Sequence, residues 1–137
     1  MDIDANLGSS MAKTYLLGID IGTQTLKATL VDVNGVVAAD TAVSYQVLHP
    51  QPGYMEHDPE AAWWGGLVRA VREVLDTSGV APSRIAALCT CGLFPALCVA
   101  DDRGRPLRHA ILYGDSRAAE EVAEAQAITG VRLKGDE

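Results

Sequence analysis

The chain reads as a layered α/β domain whose mixed sheet opens with an antiparallel three-strand meander. Three observations predict it. Apolar runs of strand length, separated by glycine turns, fill the stretch from Tyr15 to Tyr45. A helix-periodic segment with a start signal follows, and a further apolar run comes straight after it. A strand that returns across a helix is expected to lie parallel to the first.

Residues 1–12 (MDIDANLGSSMA) are small, polar and aperiodic, and are read as a flexible leader or tag remnant ahead of a domain portion at 13–137. Tyr15–Ile21 is a short apolar run of the kind buried on both faces. Gly22-Thr23-Gln24 turns the chain, and Leu26, Ala28 and Leu30 alternate with Lys27, Thr29 and Val31 as a second strand. Asn34-Gly35 is a strong hairpin signal, so 36–45 becomes the third strand.

A loop with Pro50, Pro52 and Gly53 occupies 46–57. Asp58-Pro59-Glu60 then starts a helix, with Asp58 as cap and Pro59 at the first helical position. Trp63, Leu67, Val71 and Val74 recur at helical spacing, as do Trp64, Val68 and Leu75, and Gly79 ends the run. Both tryptophans are read as core. Ile85–Cys91 is the returning strand. Segments 97–100 and 107–112 flank Asp101-Asp102-Arg103-Gly104 as a second hairpin, and 116–129 is an alanine- and glutamate-rich helix stopped by Gly130.

With 18 acidic against 11 basic residues the net charge is -7, which argues against non-specific nucleic-acid binding, because that needs a basic footprint. No apolar run is long enough to span a bilayer, so no membrane partner is expected. Cys89, Cys91 and Cys98 form no disulfide framework, which fits a reducing, cytoplasmic setting. They lack paired metal-ligand spacing and are read as buried small hydrophobes. His49, His57 and His109 are scattered, and His57 is read as shaping its loop. Asp32 and the Asp101-Asp102 pair are assigned to solvated turns.

The chemistry sits in Gly18-Ile19-Asp20-Ile21-Gly22-Thr23-Gln24-Thr25-Leu26-Lys27. It is neither a P-loop nor a G-x-G-x-x-G. It offers a strand carboxylate, a glycine, hydroxyls and an amide at a tight turn, and then a lysine. A carboxylate in a buried strand needs a partner, and hydrated Mg²⁺ is one. Gly22 allows close backbone approach, while Thr23, Gln24 and Thr25 bring donors and Lys27 a point charge. The same residues also suit an ordinary hairpin whose Asp20 bonds to neighbouring amides, and residue chemistry alone leaves both readings open.

Three blocks in order change the balance between these readings. GIDIGTQTLKATLVDVNG resembles the first phosphate motif of the FGGY carbohydrate kinases. Gly53-Tyr54-Met55-Glu56-His57-Asp58-Pro59 with Trp63 and Trp64 is similar to that family's glycine, aromatic, acidic, Asp-Pro, tryptophan block. Gly104–Arg117 resembles its second hairpin and the Trp-x-Asp-x-Arg segment after it. Xylulokinase-like and glycerol kinase-like members are the nearest in character. An actin- or Hsp70-like ATPase would share only the first block.

The resemblance implies a ribonuclease H-like fold of the actin, Hsp70 and sugar kinase superfamily, present here in its N-terminal part. It implies transfer of the ATP γ-phosphoryl to a sugar or polyol, with ATP and Mg²⁺ as cofactors and a homodimeric full-length enzyme. Asp20 would stand near Mg²⁺, through water, and Gly22, Thr23, Gln24, Thr25 and Lys27 would meet ATP phosphates. The sugar would lie over the strand end at Cys91-Gly92, touched by Phe94, Pro95, Tyr113, Asp115 and Arg117.

Two departures matter. Leu93-Phe94-Pro95 stands where family members often carry polar residues, and Tyr113 stands where tryptophan is usual. The family's general base, an aspartate late in the first domain, would fall beyond residue 137. The expectation is therefore a truncated and inactive chain with an exposed sheet edge. The alternative is a non-catalytic remnant that binds a sugar or a partner protein.

Overall fold

The computed structural model describes residues 14–131. The expected leader and the residues after Val131 lie outside them. The described chain divides into two compact units, one of the chain up to Gln46 with Glu60–Leu93, the other of Val47–Pro59 with the chain from Phe94 onward.

In the first unit, β1 (Tyr15–Ile21), β2 (Thr25–Asp32) and β3 (Val37–Ser44) form the expected meander. β5 (Ile85–Gly92) lies parallel to β1 on its other side, so the strand order is β3-β2-β1-β5. Helix α1 (Gly65–Ser78) covers one face of the sheet. Leu17 and Ile19 from β1, Leu26, Ala28 and Leu30 from β2, and Ala39 and Val43 from β3 pack there against Ala70 and Val74. Thr41 Oγ1 donates to Glu73 Oε2 at 2.6 Å and ties β3 to α1. The helix ends as its glycine predicts. Gly79 adopts φ 65° and its N–H reaches the Leu75 carbonyl at 2.9 Å.

Four sequence expectations fail in this unit. β1 is buried on one face only: Leu17 and Ile19 point into the core, while Leu16, Gly18 and Asp20 are exposed. Period-two geometry puts these sets on opposite faces, and α1 covers only one. β5 is exposed from Ala86 to Gly92, so Cys89 and Cys91 are surface thiols rather than core residues. β5 is an edge strand of this sheet and shows Leu88 to solvent.

The tryptophans are the third. A π-helical stretch, Pro59–Trp64, begins at the proline as expected and runs into α1. The buried stripe of α1 is Gly66, Ala70 and Val74. At roughly 100° per helical residue, Trp64 stands about 200° from Gly66. It is 63% exposed, whereas Trp63 is half-buried. Gly66 is itself part of the stripe because Leu26 and the Tyr45 ring lie close over it.

Asp32 is also buried rather than solvated. Its Oδ1 accepts the Asn34 and Val36 N–H groups at 2.9 and 3.0 Å, and so closes the Asn-Gly hairpin.

The second unit is built on β4 (Glu56–His57), β6 (Ala96–Leu97) and β7 (Ala110–Leu112), in the order β4-β7-β6, followed by α2 (Ala119–Thr129). The second hairpin is present, with Ala96 opposite Leu112 and an Ala100–Pro106 bridge. Asp101 is not a freely solvated turn residue, since Arg105 Nε and the Arg103 and Arg105 amides all donate to it. Strand β4 falls inside the expected loop. At two residues it is too short to show a period, and pairing with β7 makes it a strand. Cys98 is exposed too.

Candidate phosphate site and ion-pair cluster

Asp20 leaves β1 on the face that α1 does not cover. In the antiparallel register it stands opposite Lys27 of β2, and in the parallel register opposite Cys91 of β5. Directly opposed residues share a face, so lysine, carboxylate and thiol form one row. The next row holds Thr29, Gly18 and Cys89. Gly18 has no side chain, so the middle of the grid is hollow. A shallow cavity of about 370 Å³ results, lined by Gly18, Ile19, Asp20, Lys27, Thr29, Cys89 and Cys91. The Cys91 thiol donates to Asp20 Oδ1 at 3.3 Å, and this bond, with the nearby Asp20 charge, pushes the Cys91 pKa above that of an ordinary thiol.

The turn after β1 is tightly held. Gly22 N–H donates to the Thr25 carbonyl at 3.0 Å. A side chain at Gly22 would bring its Cβ to 2.9 Å from that same oxygen, so the position requires glycine for close approach. Thr25 and Lys27 alternate with buried Leu26 and therefore point to the face that carries Asp20. All the residues expected to meet phosphate, from Asp20 to Lys27, thus fall on one strand–turn–strand element.

The residues expected at the sugar lie in the second unit. Phe94 is 90% exposed and Pro95 is exposed beside it. Tyr113 and Asp115 line a cavity of about 390 Å³ that also takes in Ser116, Ala119, Val122 and Gln126. Phe94, Pro95 and Arg117 do not line it.

Asp115 and Arg117 are bound to each other. Arg117 Nε donates to Oδ1 of Asp115 at 2.8 Å and its terminal nitrogen to Oδ2 at 2.7 Å, a bidentate fork. The Met55 and Arg117 amides donate to the same carboxylate at 2.7 and 3.0 Å. The Arg117 fork and these amides hold the Asp115 carboxyl well below the usual carboxylate range. Arg117 also reaches Glu56 Oε1 at 2.6 Å and stacks over the Tyr54 ring at 3.8 Å.

Glu56 is the residue that sequence reasoning quoted without giving it a role. It is 5% exposed and accepts from Arg117, from Arg108 at 2.9 Å and from the His109 ring at 3.3 Å. Arg117 first, then His109 and Arg108, lower its pKa. The one available signal was an acidic residue amid aromatic and apolar neighbours, with two arginines far downstream. Among the described residues, no cluster of histidine, cysteine and carboxylate groups is arranged to hold a metal directly, and no helix is long and apolar enough to cross a membrane.

A mixed sheet opening on a meander, with a carboxylate and a lysine opposed beside a glycine turn, defines the N-terminal part of a ribonuclease H-like α/β domain of the sugar kinase kind. The chain belongs to the FGGY family of carbohydrate kinases, whose N-terminal domain model matches residues 15–133. It is similar to a xylulose kinase of Staphylococcus xylosus, 34% identical over 117 residues, which covers 85% of this chain and 24% of that protein. A glycerol kinase of Thermococcus gammatolerans is 32% identical over 121 residues, covering 88% and 24%. The crystal structure of xylulose kinase from Rhodospirillum rubrum superimposes with a TM-score of 0.75 at 34% identity, over 84% of this chain and 23% of that one. The chain therefore spans about a quarter of the length of these relatives.

Proposed function

We propose that this chain carries the nucleotide-phosphate-binding portion of a kinase that transfers the ATP γ-phosphoryl to a hydroxyl of a sugar or polyol. The observation that supports it best is the Lys27–Asp20 opposition on the open face of the sheet, one residue from a turn that only glycine can make. This donor set fits a magnesium nucleotide. Asp20 and Lys27 line the hollow over Gly18, and Thr25 lies on the same face of the sheet. Asp20 would hold Mg²⁺ through water, as suits an ion that gives up its hydration reluctantly. Gly22, Thr23, Gln24, Thr25 and Lys27 would hold phosphate oxygens.

The bound magnesium nucleotide supplies the phosphoryl group and offsets its charge. The residues here contribute position and a fixed electrostatic field. Phe94, Pro95 and Tyr113 are proposed to meet the acceptor, with Asp115 and Arg117 bracing the loop that carries Tyr113. An apolar Phe94-Pro95 pair gives few hydroxyl contacts, so selection among polyols falls to other groups. The proposal places the general base outside these residues and the chain alone as inactive.

Calorimetric titration of the 137-residue chain with MgADP tests the reading, beside a coupled ADP-release assay with ATP and a panel of ketoses, aldoses and polyols. Binding that Asp20→Ala abolishes, without turnover, is the expected result. Equal binding by the wild type and Asp20→Ala would remove the phosphate assignment, and turnover by the chain itself would place the base within it.

A further inference from the structure

The carbonyl oxygens of a phosphate-binding turn are a liability, because they repel the anion that the turn's donors attract. Here a single residue outside the motif takes up two of them. Tyr45 directly follows β3. Its hydroxyl donates to the Gly22 carbonyl, and its backbone N–H donates to the Gln24 carbonyl at 3.1 Å. Another carbonyl of the turn, that of Thr25, accepts Gly22 N–H.

The ring that carries the hydroxyl is anchored from behind. Gly66 of α1 lies under it, and a Cβ built there would sit 3.7 Å from two ring carbons. The phenol is thus supported by the helix and aimed at the turn. A tyrosine hydroxyl carries its proton at neutral pH, so it remains a donor to the Gly22 carbonyl.

We propose that Tyr45 is a positioning residue for the turn Gly22–Thr25, engaging its Gly22 and Gln24 carbonyl oxygens so that the turn presents donors to phosphate. This rests on the phosphate reading above for its ligand, while the clamp itself does not.

The test uses the 137-residue chain and two variants. Tyr45→Phe keeps the ring and the backbone N–H and removes only the hydroxyl, whereas Tyr45→Leu also removes the ring. Amide hydrogen exchange is followed by NMR at Gly22, with amides at the centre of β2 as the reference, and MgADP is titrated into each protein. Loss of one hydrogen bond of about 1 kcal/mol corresponds to a change of about fivefold. Tyr45→Phe should therefore speed Gly22 exchange about fivefold, leave the β2 centre unchanged, and weaken MgADP binding by about the same factor.

If Tyr45→Phe matches the wild type at Gly22 and only Tyr45→Leu loosens it, Tyr45 is a packing aromatic and the proposal falls. It falls equally if exchange rises as much at the β2 centre as at the turn. If Tyr45→Phe loosens the turn alone while MgADP moves no resonance between residues 20 and 27 of the wild type, the clamp stands and the phosphate reading fails.

Discussion

Glu56 and Arg117 stand 61 residues apart in the chain and meet at 2.6 Å, with the glutamate carboxylate almost fully withdrawn from solvent. The pair joins β4 to the loop after β7. It also completes a charge chain in which Arg108, His109 and Asp115 take part. A buried carboxylate with three donors is costly to disturb on one side, because the donors left behind remain partly desolvated. Glu56→Gln keeps the shape and removes the charge. It should destabilise the chain by about 2 kcal/mol, in the range for hydrogen bonds to charged groups. Urea unfolding of the two proteins measures it, and an unchanged midpoint would mean that the cluster is held by its neighbours.

The acid limb of stability has a defined origin. Asp115 and Glu56 both have folded-state pKa values below their unfolded ones, chiefly through Arg117. A depressed carboxylate contributes stability that is fully present above its unfolded pKa, about 4. That stability is lost as pH falls through the folded value. Thermal midpoints should therefore be flat from neutral pH down to about 5 and then drop. In Asp115→Asn the midpoint should be lower at neutral pH and fall less steeply in acid. Parallel curves for the two proteins would assign the acid transition to other groups.

Gly22→Ala is expected to damage the turn out of proportion to its size. The added Cβ would stand 2.9 Å from a backbone oxygen, and no flexible side-chain end is available to yield. The turn must open, at a cost of about 1–3 kcal/mol. MgADP binding should be lost with it. Retention of both stability and binding would mean that the turn relaxes freely.

Leu26→Ala removes a fully buried side chain at the centre of the first unit's core. A loss of about 2–5 kcal/mol is expected, with the spread set by how far Ala70, Val74 and Val43 close the space. Trp64→Ser is the contrasting case. Helical spacing called for a core residue, but the side chain is 63% exposed, so the change should shift stability by less than about 0.5 kcal/mol. Denaturant titration of the two variants side by side checks both.

Local signals decided much of this fold. Asn34-Gly35 marks the β2–β3 hairpin, Pro59 the start of helical structure, and Gly79 the end of α1 at a positive φ that glycine adopts without strain. Each acts within a few residues, so each is visible without the rest of the chain. The element expected to meet phosphate was legible for the same reason, because its residues are consecutive and a two-strand register brings Asp20 and Lys27 together. The residues expected to meet a sugar were less so. Asp115 and Arg117 came from the resemblance to the family's Trp-x-Asp-x-Arg segment, but their mutual fork and the reach to Glu56 belong to contacts across β4 and β7.

By itself the sequence determined the opening meander, the helix after it, the parallel return strand, the glycine turns and the family, all of them properties of neighbouring residues or of blocks in order. Tertiary structure alone decided which face of β1 is covered, and hence that Asp20 opens outward and Cys91 can bond to it. It also turned Trp64 to solvent and drew Glu56 beneath two arginines. The physical reason is common to all of these. A side chain's period tells which residues share a face, but burial and ion pairing depend on what packs against that face, and only the folded chain supplies it.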